Sequence, residues 1–157
     1  MLGGMTMQDF AKLDGVNRRG IFCQHLASEE YIEMHQFMDL SKVDAIRALL
    51  LFRKEFGTSR LGQQLSQEAK QVFYEENHFL VGLNDLDDFL RDILEDWGDA
   101  IPVKSLVRNL TVMVERHGCK CGHLADFLQQ ARIFNNLDSI SYEWRDCWEL
   151  NAREQVA

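Results

Sequence analysis

Apolar positions recur at helical spacing along most of this chain. The sharpest stripe runs through Leu86, Phe89, Leu90, Ile93, Leu94 and Trp97. Asn84 is placed to cap it, and Asp85, Asp87 and Asp88 fall in the first turns, where carboxylates suit the positive helix end. Gly98 ends this helix, and Pro102 stands where a first-turn proline costs no intrahelical bond. Val103, Leu106, Val107, Leu110, Met113 and Val114 repeat the stripe as far as Gly118, so a helical hairpin is predicted across residues 98–101.

Other segments read the same way. Val43, Ile46, Leu49, Leu50 and Phe56 predict a helix opened by Asp39 or Ser41 and stopped by Gly57. Ser28, followed by Glu29 and Glu30, predicts a helix start with Tyr31, Met34, Phe37 and Met38 as its buried face. Ser66 with Glu68 begins another, which buries Ala69, Val72 and Phe73, and residues 78–82 read as a connection. Leu124, Phe127, Leu128 and Ala131 form a short stripe, and a last helix from Ser139 or Ser141 sets Trp144 and Trp148 on one face. Over residues 8–26, Gly15, Gly20 and the Arg18-Arg19 pair interrupt the period, leaving a short helix and a loop.

The expected fold class is therefore all-α, an antiparallel bundle of about six to seven helices. Its expected organisation is an irregular segment over residues 1–27 with a short helix, a bundle core over 28–134, and a Trp-containing helix over 135–157 that packs on or extends the bundle. A length of 157 residues, with 46% apolar and 27% charged positions and a single proline, supports one water-soluble core.

Charge changes the picture more than composition does. A net charge of -8 argues against a general phosphate-backbone binder, which needs clustered Lys and Arg, and favours a basic protein partner or simply a solvated surface. The longest apolar run, residues 48–52, is too short for a membrane span, and the opening MLGGMTMQDF lacks the order of a signal peptide. A cytoplasmic protein, with no nucleic-acid or membrane partner, is the expectation. Cys23, Cys119, Cys121 and Cys147 then read as free thiols.

The stretch LDDFLRDILEDWGDAIPVKSLVRNLTVMVERHGCKCGHLADFL, residues 86–128, resembles the last helices of the death-domain superfamily. Leu90, Leu94 and Trp97-Gly98 carry the first element of that pattern, Val103, Leu106, Val107 and Leu110 the second, and Leu124-Ala125-Asp126 with Leu128 the third. The resemblance implies a six-helix, death-fold-like adaptor without catalysis, which assembles complexes in apoptotic or innate-immune signal transduction. In that setting Asp85, Asp87, Asp88, Asp92, Glu95, Asp96 and Asp99 are a docking face for Arg and Lys on helical partner domains; the alternative is a solvated helix exterior. Trp144 and Trp148 either close the core or anchor a partner. A homo-oligomer is compatible with such contacts.

Two other functions compete. His117, Cys119, Cys121 and His123 offer four soft metal ligands, and Lys120 could favour a Cys119 or Cys121 thiolate, which suggests a metal-binding or redox-sensing protein. One-residue gaps hinder tetrahedral convergence, so a glycine-flanked turn without metal or other cofactor is the expectation. The third reading is a structural helical subunit of a larger assembly. No nucleophile elbow, phosphate-cradling loop or metalloprotease motif marks the chain as an enzyme.

Overall fold

Short apolar runs bounded by polar residues suit a buried strand as well as a helix. In this chain the strand wins repeatedly. The computed structural model describes Leu2, residues 4–34, Asp39, residues 42–92, residues 101–115, Phe134 and residues 136–145. Within them, β1 (Ile32–Met34), β2 (His78–Gly82), β3 (Asn109–Glu115) and β4 (Ser139–Arg145) form one sheet in the order β1-β2-β3-β4, every neighbouring pair parallel. The fold is mixed α/β, and the all-α death-fold bundle is overturned.

The error has a physical source in each segment. Leu110, Met113 and Val114 fit a helical stripe, but they lie in the run NLTVMVE, whose inward set is Leu110, Val112 and Val114, all buried. Only α6 (Val103–Leu106) of that expected helix remains. HFLVG, read as a connection, is the fully paired strand β2. SISYEWR alternates with period two around aromatic and β-branched residues, the pattern of a half-buried strand. Tyr31 and Met34, expected on a helix, flank or belong to β1, while Phe37 and Met38 lie outside the described residues.

The helices are α1 (Met7–Lys12), α2 (Gly15–Leu26), α3 (Asp44–Phe56), α4 (Arg60–Glu76), α5 (Leu86–Leu90) and α6. Thr6, Asp14 and Ser59 cap α1, α2 and α4 by accepting the amides of Asp9, Asn17 and Gly62. α4 thus begins six residues before the expected Ser66 start. Gly57, at φ 68, ends α3 as expected. α5 is far shorter than its stripe suggested: Asp92 turns into the left-handed region, φ 66, immediately after it.

The residues expected to be irregular are part of the core. Phe10 and Phe22 are buried and stack with Phe52 and Phe56, at centroid distances of 5.2 to 5.7 Å for the closest pairs. The Arg18-Arg19 pair, which seemed to break a helix, instead ties α2 to α4. Arg18 forks onto Glu68 at 2.7 and 3.1 Å, and Arg19 meets Glu75 at 2.7 Å and also Glu76. A fully buried phenylalanine contributes roughly 2–3 kcal/mol, more than these partly buried ion pairs, which still reach solvent and are screened by it. The rings therefore set the stability of this layer and the arginines its registry.

α4 is the spine of the molecule. Its first turn lies against the end of α3 so closely that a Cβ on Gly62 would meet the Phe56 carbonyl oxygen at 2.2 Å. Its last turns place Phe73 and Tyr74 on Phe79 of β2, 5.5 and 5.6 Å between centroids, and Phe89 of α5 closes the same cluster at 5.2 Å from Phe79. Helix layer and sheet therefore share one core.

Candidate functional site

Crossovers between parallel strands are nearly always right-handed, which in a sheet of order β1-β2-β3-β4 would place the connecting helices on one face. The register agrees: Ile32, Phe79 and Leu110 align in one row, Met34, Val81 and Val112 in the next, and all six are buried on the helix side. The opposite face carries Glu33, Leu80, Thr111 and Ser141 in one row and His78, Asn109 and Ser139 in another. Leu80 and Thr111 form a buried floor, and Glu33, Ser139, Ser141 and Glu143 stand exposed around it. Parallel sheets are usually covered on both faces by apolar contacts, so this polar rim is a departure.

Side-chain interactions on this face run from strand to strand. His78 Nε2 lies 2.8 Å from Thr111 Oγ1, which lies 2.6 Å from Ser141 Oγ, a ladder across β2, β3 and β4. Beside it, Ser139 donates to Asn109 Oδ1 at 2.8 Å. Partial burial lowers the pKa of His78 from its usual 6.5, which keeps the imidazole neutral at pH 7. The ladder is then a set of neutral hydrogen bonds that fixes the ring, with no charge at its centre.

At the amino end of β1 and β2 this face sinks into an open recess of about 580 Å³, lined by Glu29, Glu30, Tyr31, Glu33, His78 and Leu80. Tyr31 is 63% exposed and stands edge to face against His78, 4.5 Å between centroids. The lip holding it is anchored by Asn77. That buried amide accepts from the Ser28 amide at 2.7 Å and donates to the Leu26 and Phe73 carbonyls at 2.8 and 2.7 Å. The ends of α2 and α4 and the start of the acidic lip thus meet at one side chain.

The residues singled out in the sequence are scattered differently. Asp87 and Asp88 are exposed on α5, and Asp85 precedes its first turn without a side-chain capping bond. Asp92 leaves that surface altogether: it is 4% exposed, its Oδ2 accepts from Lys70 Nζ at 3.0 Å, and its Oδ1 accepts from Tyr74 at 2.7 Å. Glu95, Asp96 and Asp99 lie outside the described residues, as do Trp148 and the soft ligands His117, Cys119, Cys121 and His123. Trp144 sits on strand β4 rather than on a helix, on the helix-side face, and is 49% exposed.

Tyr31, Glu29, Glu30 and His78 were missed as a group. The acids resembled helix-start residues and the tyrosine a core position, and only recognition of the strand at Ile32 turns them outward together. Among the described residues no helix is long and apolar enough to cross a membrane. Comparison with known proteins gives no match: no family model fits the chain, and no curated protein or solved structure is significantly similar to it.

Proposed function

We propose that this chain is a non-catalytic protein-interaction module that receives a basic segment of a partner on the sheet face opposite the helices. The observation that carries the reading is the acidic recess at Tyr31, continuous with the polar rim of that face. Glu29 and Glu30 are exposed and make no ion pair among the described residues, so a cationic partner gains from them without first breaking a bond. The overall charge of -8 adds long-range attraction for the same class of partner.

The reading separates cleanly from a docking face on α5. Binding of a fluorescent Arg- and Lys-containing peptide to the full chain is measured at low salt, with two charge-reversed variants. Glu29→Lys with Glu30→Lys is expected to weaken binding at least about tenfold, and Asp87→Lys with Asp88→Lys to change it little. The opposite order, or no binding by the unaltered chain, would reject the sheet face as the partner surface.

A further inference from the structure

The geometry points to the recess at Tyr31 as a pocket for one arginine side chain of the basic partner, with its guanidinium against the phenol ring and among the Glu29, Glu30 and Glu33 carboxylates. This rests on the module reading above and makes it specific. Carboxylates alone are commonly solvated surface. Here they line an open recess whose volume, about 580 Å³, falls in the range of about 300–1,000 Å³ usual for ligand pockets.

Three features select the occupant. First, the acids are spread around the recess rather than gathered: among the described residues no group of three or more such side chains could hold a metal ion. A wide, delocalised cation matches them better than a compact one. Second, the Tyr31 ring is 63% exposed yet held in place by His78, so it offers a fixed aromatic surface at little further entropic cost. Guanidinium stacks on such a ring and donates in its own plane to carboxylates, whereas ammonium is a strongly hydrated point charge.

Third, the chain's own Arg145 already pairs with carboxylates on this face. Arg145 reaches Glu33 with Nη1 at 3.8 Å from Oε1 while Nε bonds Glu143 at 3.0 Å. A guanidinium is therefore sterically and electrostatically compatible with the rim. A neutral His78 at the back wall opposes no incoming cation at pH 7.

The test compares three fluorescent peptides of one sequence, carrying arginine, lysine or citrulline at the basic positions, against the full chain. The arginine peptide is expected to bind about fivefold or more tightly than the lysine one, and the uncharged citrulline one weakest. Tyr31→Ala should erase the preference for arginine over lysine, and Tyr31→Phe should keep it. Circular dichroism and the denaturation midpoint check that both variants remain folded. Equal binding of arginine and lysine peptides, or a preference that survives Tyr31→Ala, overturns the arginine pocket and leaves the module standing. Failure of every peptide to bind overturns both.

Discussion

Arg145 on β4 and Glu33 on β1 form an ion pair across two intervening strands, Nη1 to Oε1 3.8 Å. Glu33 is in register with Ser141, four residues before Arg145. In a flat sheet the two backbones would lie about 14 Å apart across the strands and about 13 Å along them, about 19 Å in a straight line and beyond the reach of the two side chains together. The pair therefore records the coil of the sheet, which brings these corners together over the face proposed to bind.

An internal guanidinium on the rim competes with an external one. The pair is partly exposed, 25% and 49% for the two side chains, so its removal should cost under about 1 kcal/mol. Arg145→Ala is expected to leave the denaturation midpoint nearly unchanged and to tighten binding of a basic peptide by freeing Glu33. Weaker binding would mean that Arg145 itself contacts the partner.

Asn77 should be far more costly to remove. Truncation to alanine leaves the Leu26 and Phe73 carbonyls and the Ser28 amide without their side-chain partner in a buried setting. With about 1–3 kcal/mol for each group that water cannot reach, and some relaxation, Asn77→Ala is expected to lose roughly 2–4 kcal/mol in urea denaturation. A loss under about 1 kcal/mol would show that water replaces the amide.

Lys70 and Asp92 test the buried charges. Asp92→Asn leaves a residue that tolerates the positive φ but removes the charge beside the buried ammonium. A loss of about 3–5 kcal/mol is expected for this change, and Lys70→Met with Asp92→Asn together should cost less than the two single losses summed. Additive losses in a double-mutant cycle would argue that the two charges do not depend on each other.

The sign of the pH response follows from His78. Its folded pKa lies below 6.5, so the unfolded chain takes up the proton first as pH falls. The contribution is complete above about pH 6.5 and is lost as pH drops through the folded value. Urea midpoints at about pH 7.5 and about pH 5.5 should show a larger loss for the unaltered chain than for His78→Gln. Equal losses would place the pH dependence elsewhere.

How far the sequence could be read depended on which period a segment satisfied. The apolar stripe of α3 and its stop at Gly57 were legible because the helix has one amphipathic face and a glycine at positive φ, but its start was not: the helix opens at Asp44, after Val43, rather than at Asp39 or Ser41. β3 was illegible as a strand because Leu110, Met113 and Val114 satisfy a helical spacing as well as Leu110, Val112 and Val114 satisfy an alternating one. In β4 the strict alternation of SISYEWR was present, but the spacing of Trp144 and Trp148 competed with it. The recess could not be seen at all before β1 was placed. Asp92 was invisible for a different reason: its partners Lys70 and Tyr74 are distant in sequence, and only the fold turns it from the row of surface acids into the core.

Amide chemical-shift mapping of the full chain, titrated with a basic peptide, tests the binding face most directly. The expected result is shifts at residues 29–33, at His78 and along residues 139–145, with Asp87 and Asp88 unmoved. Shifts confined to α5, or none at saturating peptide, would contradict it.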